Sequence, residues 1–171
     1  MRSRFSFVIK LKEKGSKEMN LSKHYRFTFE LLGLLLFLAI MLPNFIWFAV
    51  PAPQDVLRTA KSVFPMIEKL GSIFQILFIA ALCFLRHIPD VPLKKHYWQI
   101  GIIGMVLLYF VGWGCYYASI VNLIVLLDLC LAPCLALLLF AWERKNWIAL
   151  PFGIAFLVCH VSSTVANFLI K

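Results

Sequence analysis

The sequence predicts an all-α, polytopic integral membrane protein: a five-helix transmembrane bundle with its N-terminus cytoplasmic and its C-terminus outside. Three observations carry that expectation. The 171-residue chain is 62% hydrophobic with a mean hydropathy of +0.86, whereas a soluble domain is about 45–50% apolar and cannot bury this much apolar surface at this length. Only 15% of residues are charged, and most of these sit in short stretches between long apolar runs. Five of the runs reach the roughly 20 residues that a helix needs to cross the hydrocarbon core.

Residues 1–28 read as a basic cytoplasmic arm. Within it "FSFVIKLK" (Phe5–Lys12) alternates apolar and polar residues, as a short strand or an interfacial anchor would. One strand has nothing to pair with, so a flexible or membrane-surface arm is expected. The membrane domain, 29–171, is expected to hold spans at about 29–50, 64–85, 98–117, 121–142 and 147–170.

The first span follows a basic segment, as a secretory signal does. Its apolar run is longer than the roughly 7–15 residues of a signal core, and "VPA" is followed by Pro53, a poor residue after a cleavage point. It therefore reads as a retained signal-anchor helix. Pro43 cannot donate to the Ala39 carbonyl and predicts a kink beside Asn44, which supplies donors, while Pro51 and Pro53 mark the end of the span. Pro133 marks a second expected kink, in the fourth span. The third span carries Gly101, Gly104, Gly112 and Gly114 with Tyr109, Trp113 and Tyr116; it suits close helix packing, with a substrate-lining aromatic face as the alternative. Trp47, Trp98, Tyr116, Tyr117, Trp142 and Trp147 fall near expected water interfaces, where amphipathic rings settle.

Orientation comes from the basic residues. Eight precede the first span, Arg86, Lys94 and Lys95 lie between the second and third, and Arg144 and Lys145 between the fourth and fifth. Those thirteen fall on one side of a five-span chain, against Arg58, Lys61, Lys69 and Lys171 on the other. The excess puts the N-terminus in the cytoplasm.

Polar side chains within spans are costly, and they face protein or water. At about 1.5 Å rise per residue, Asn44 lies roughly 24 Å up the first span, and Glu68, Gln75 and Asp128 enter from outside by roughly 6, 16 and 10 Å. His160 lies roughly 20 Å up from the cytoplasmic side, so residues of four helices share the outer half. Glu68, Ser72 and Gln75 (i, i+4, i+7) form one stripe, and His160, Ser163, Thr164 and Asn167 (i, i+3, i+4, i+7) another. Two readings stand here: the stripes join helices by hydrogen bonds, or they line a site. Glu68 could instead pair with Lys69 or Arg58 at the interface. Asp128 has no local cation in "LIVLLDLCLAPC", and His160 is a plausible partner for it.

The chain calls for no cofactor and no metal. Five cysteines lie in apolar segments without metal-type spacing, and His24, His87 and His96 fall outside the spans, leaving His160 as the one intramembrane histidine. No catalytic or phosphate-binding motif occurs. A net charge of +9 could suggest nucleic acid, but no binding fold accompanies it, and the basic residues sit beside spans where anionic lipid headgroups are the nearer partner.

In "LPNFIWFAVPAPQDV", "FPMIEKLGSIFQILFI" and "FLVCHVSSTVAN", the chain resembles a group of small bacterial multi-spanning membrane proteins without assigned activity. The resemblance implies topology and a bacterial cytoplasmic membrane, and carries over no functional residues.

The expected function is small-solute or ion binding, as a small transporter or a membrane subunit of one, through an outward-facing polar vestibule between the first, second, fourth and fifth helices. Asn44, Glu68, Gln75, Asp128 and His160 are its candidate binding residues, with His160 as proton partner. No internal repeat is visible, and five spans divide poorly into two matching halves. The alternatives are a non-catalytic or immunity-type partner of another membrane protein and, with least support, an intramembrane enzyme using Asp128.

Overall fold

A computed structural model describes residues 25–88 and 96–169. The Phe5–Lys12 patch and most of the basic arm lie outside the described residues. Five helices in it are long and apolar enough to cross a membrane. In chain order the elements are β1 (Tyr25–Phe27), α1 (Leu31–Ala49), a short α2 (Val56–Thr59), α3 (Pro65–Phe84), β2 (Leu85–His87), α4 (His96–Tyr117), α5 (Leu123–Glu143) and α6 (Ala149–Leu169).

Local chemistry sets several helix starts. Pro65 occupies the first turn of α3, where a missing N–H costs nothing. The Asn122 side chain accepts from Val125 N at 2.9 Å to open α5, and Asn146 Oδ1 accepts from Ala149 N at 3.1 Å to open α6. Pro43 and Pro133 lie inside α1 and α5, and both helices continue through them.

The chain is not wholly helical. β1 pairs antiparallel with β2 in the register Tyr25↔His87, Arg26↔Arg86, Phe27↔Leu85, so the last residues of the expected arm form a strand. The pairing extends along the chain, as Thr28 N donates to Phe84 O (3.0 Å) and Glu30 N to Cys83 O (2.8 Å). The partner strand is the continuation of α3, whose terminal carbonyls would otherwise lack donors.

α5 is the most enclosed helix and α1 the least. Small side chains along α5, among them Ala132, Cys134, Ala136 and Ala141, are buried and let neighbours approach on several sides. α3 packs closely on α6, and α4 on α5, while α1 is more loosely held. At Gly71 a β-carbon would lie 3.1 Å from Cys159 Cβ, so the absence of a side chain there brings the α3 and α6 stripes side by side.

The connections define two ends. The basic end holds the sheet and the α5–α6 turn, where Tyr25 donates to Lys145 O (3.0 Å) and accepts from Trp147 N (3.1 Å). Burial raises the Tyr25 hydroxyl above its ordinary range, with the Trp147 N–H acting in the opposite direction. Glu30 is buried there against Arg144 Nη2 at 2.7 Å and Arg86 Nε at 3.3 Å. The opposite end holds α2 and the α4–α5 turn, gathered around Asp55. Its carboxylate accepts from Trp47 Nε1 (3.0 Å), from Tyr116 OH (3.0 Å) and from Arg58 N (3.1 Å). Tyr116 is therefore fully buried rather than lying at a lipid interface.

Candidate functional site

A cavity of about 500 Å³ opens between α1, α3, α5 and α6, beneath the α1–α3 connection. Each helix contributes one face. From α1 come Phe37, Ile40, Met41 and Asn44, spaced i, i+3, i+4, i+7. From α3 come Glu68, Ser72, Gln75 and Ile79, and from α6 Phe156, His160, Ser163, Thr164 and Asn167. Leu129, Pro133 and Leu137 of α5 form the back wall, and Tyr109 reaches in from α4.

Chain direction orders these residues along the bundle axis. Glu68, Asn167 and Asn44 lie toward the α2 end, Gln75 and His160 lie deeper, and Phe37, Ile79, Leu137 and Phe156 form the floor. The cavity thus passes from a polar mouth to an apolar floor.

At the mouth, Asn167 bridges two elements: its Nδ2 donates to Glu68 Oε1 at 2.9 Å and its Oδ1 accepts from Val63 N at 2.8 Å. That bond fixes the Glu68 carboxylate and leaves Oε2 without a hydrogen-bond partner among the described residues. No Lys or Arg pairs with Glu68 among the described residues, since Arg58 turns instead to Asp55 (3.7 Å) and over the Trp47 ring (5.5 Å). Asn44 Nδ2 donates to Tyr109 OH at 2.6 Å and to Ile40 O at 3.3 Å, tying α1 to α4 one residue past Pro43.

Deeper in, the His160 ring stacks on Phe156 (centroids 5.2 Å apart, planes at 15°). Neither the His160 ring nor the Gln75 amide has a hydrogen-bond partner among the described residues. Ser163 is only 7% exposed, and its hydroxyl is buried without a partner. A buried hydroxyl left unpaired costs about 1–3 kcal/mol, so this wall has unmet hydrogen-bonding capacity.

The structure brings four of the five sequence candidates, Asn44, Glu68, Gln75 and His160, to one cavity and leaves Asp128 out. Asp128 lies on another face of α5, against α4, where a β-carbon on Gly112 would collide with its carboxylate. The expected Asp128–His160 pairing is therefore not formed. Equal depth does not bring side chains together when they point around the helix in different directions. Pro133 lines the cavity as well as interrupting the α5 ladder.

Sequence reading missed Glu30 and Asp55. Their signal was present: each is a carboxylate at the edge of a span, with arginines elsewhere in the chain to meet it. Among the described residues no group of three or more His, Cys, Asp and Glu is placed to hold a metal ion.

No family model, curated protein or solved structure matches this chain.

Proposed function

We propose that this multi-pass membrane protein binds a small solute in the α1–α3–α5–α6 cavity, as a small transporter or as the membrane subunit of a larger one. The observation that carries the reading is the unmet polar wall: Gln75, His160 and Glu68 Oε2 face a volume in the range of small-molecule sites. Polar groups within a span are expensive, and such groups mark solute or ion pathways.

The mouth faces outside in this reading, in a bacterial cytoplasmic membrane, with the N-terminal arm on anionic lipid headgroups. Supporting the orientation, Arg86, Arg144 and Lys145 gather with the start of α1 at the end away from the mouth. A C-terminal reporter is expected to be periplasmic; a cytoplasmic signal would reverse the orientation without touching the cavity.

The test of binding is thermal unfolding of the full chain in detergent against a panel of ions and small solutes, for wild type, His160→Ala and Asp128→Asn. A stabilising solute is expected to act on wild type and Asp128→Asn and to lose its effect in His160→Ala. If nothing in the panel moves the midpoint, the solute reading fails.

A second reading, as a non-catalytic partner of another membrane protein, is favoured by Asp128 alone. It is a partly buried carboxylate in a span, without a hydrogen bond or ion pair among the described residues, and a cationic or amide side chain on a neighbouring helix would satisfy it. Copurification of a stoichiometric partner that Asp128→Asn abolishes would support it.

A further inference from the structure

From the ordering of the cavity wall, we infer that the solute is an amphipathic organic cation, such as an arylalkylamine, with its ammonium at Glu68 and its apolar body toward the floor. The inference rests on the solute-binding reading and specifies its ligand.

Volume decides between a bare ion and an organic molecule. A water's share of liquid volume is about 30 Å³, so a cavity of about 500 Å³ is far too large to grip a dehydrated monovalent cation. A metal ion also needs several converging oxygen or nitrogen ligands. The cavity offers one carboxylate, and no metal-holding group of His, Cys, Asp and Glu exists among the described residues. An organic molecule of modest size fits.

Charge decides the sign of the head. Among the described lining residues Glu68 is the sole carboxylate, and there is no Lys or Arg. Asn167 holds Oε1 from the far side and leaves Oε2 free, so an ammonium would complete the charge that the protein leaves uncompensated. An anion would meet Glu68 without any guanidinium or ammonium to offset it.

Polarity along the axis decides the tail. Gln75, half-buried and without a hydrogen-bond partner among the described residues, lies partway down and suits a hydrogen-bonding group on the ligand. Below it Phe37, Ile79, Leu137 and Phe156 close the floor with apolar and aromatic surface, which rewards burial of a ring or chain.

The test uses the full chain in detergent and follows the unfolding midpoint with four probes: 2-phenylethylammonium, 2-phenylethanol, 3-phenylpropionate and methylammonium. The inference expects 2-phenylethylammonium to raise the midpoint in a saturable way, the three others to do so at least tenfold less potently, and Glu68→Gln to abolish the response. Asp128→Asn, outside the cavity, is expected to respond as wild type does. Should Glu68→Gln not fold, Ile79→Trp leaves the carboxylate in place and fills the floor, and it too is expected to abolish the response. Stabilisation by the alcohol or the carboxylate equal to that by the amine, and unchanged in Glu68→Gln, would overturn the cation while leaving solute binding intact. Equal potency of methylammonium would overturn the apolar tail. If none of these probes, and nothing in the wider panel, moves the midpoint, solute binding and its cationic ligand fail together.

Discussion

The two ends of the bundle treat a glutamate in opposite ways. At the basic end Glu30 is 6% exposed and meets two guanidiniums, Arg144 at 2.7 Å and Arg86 at 3.3 Å. At the cavity end Glu68 meets one amide, that of Asn167, and no guanidinium or ammonium among the described residues. The first arrangement closes a structure: the strand pair, the start of α1 and the α5–α6 turn converge on a carboxylate with its countercharge in place. The second leaves a carboxylate oxygen facing an open volume. Within one small protein, a compensated acid fastens the fold and an uncompensated one is free to serve a ligand.

The sharpest way to break this comparison is to remove the charge at each end. Glu30→Gln removes the carboxylate charge that two guanidiniums meet, at a site where Arg144 is itself buried. Losing one partner of a buried pair costs about 3–5 kcal/mol, so a large drop in the unfolding midpoint is expected. Restoring the original net charge with Glu30→Gln/Arg144→Met should recover part of the loss, which a double-mutant cycle reads directly. Glu68→Gln keeps a carbonyl that can still accept from Asn167, and is expected to change stability by less than about 1 kcal/mol. Equal losses at the two positions would erase the distinction between a fastening acid and a ligand-binding one.

A smaller effect tests the packing that separates the cavity floor from the basic end. A methyl on Gly153 would lie 2.7 Å from Leu138 Cδ2 and 2.8 Å from the ring of Phe78, which is fully buried. Such overpacking costs about 1–3 kcal/mol. Gly104 has nothing within 4 Å of its missing β-carbon, so Gly104→Ala gains helix propensity and is expected to be neutral or stabilising by up to about 1 kcal/mol. Thermal unfolding of the two variants side by side checks the pair, and a Gly153→Ala protein as stable as wild type would mean that this region is as loose as the cavity end.

How much of this was legible in the sequence follows from what periodicity can and cannot carry. The five apolar stretches emerge as five helices with no end shifted by more than two residues, because length and hydropathy are local properties. The α3 and α6 polar stripes emerge on one cavity for the same reason, since i, i+4, i+7 spacing fixes a shared face. What was not legible was azimuth between helices. On α5 the cavity face is Leu129, Pro133 and Leu137, and Asp128, one residue earlier, points roughly 100° away around the helix. Depth put it level with His160, and depth was all the sequence offered. The pairings of Glu30 with Arg144, of Asp55 with Tyr116, and of β1 with β2 join residues distant in the chain, and no local pattern encodes them.

Ser163 offers a test in which the expected sign is unusual. Its hydroxyl is buried and unpartnered, so Ser163→Ala removes an unmet polar group and is expected to leave stability unchanged or raise it by up to about 1 kcal/mol. The oxygen is closed off from the cavity, so the same change should leave the solute response as it is in wild type. Loss of a polar group is then neutral or stabilising at the cavity end, whereas at Glu30 loss of the charge only destabilises. A clear loss of stability in the ligand-free protein would show that an ordered water completes the hydroxyl.

The smallest expected effect concerns the loosely packed α1, which is tied to α4 near the cavity mouth by Asn44. Its amide reaches Tyr109 OH at 2.6 Å and the Ile40 carbonyl at 3.3 Å. Interhelical hydrogen bonds between spans average only about 0.6 kcal/mol, because the competing states also find partners. Asn44→Leu and Tyr109→Phe should therefore each cost little, and their cycle should return a coupling of about 0.6 kcal/mol. A coupling several times larger would mean that α1 is fastened at the cavity as firmly as at Glu30. The wall of the cavity would then be rigid, and a ligand could enter only from the mouth beneath the α1–α3 connection. A coupling near the expected value leaves α1 held mainly by its two ends, by Glu30 at one and by the Trp47–Asp55–Tyr116 cluster at the other, and free to move between them where the cavity lies.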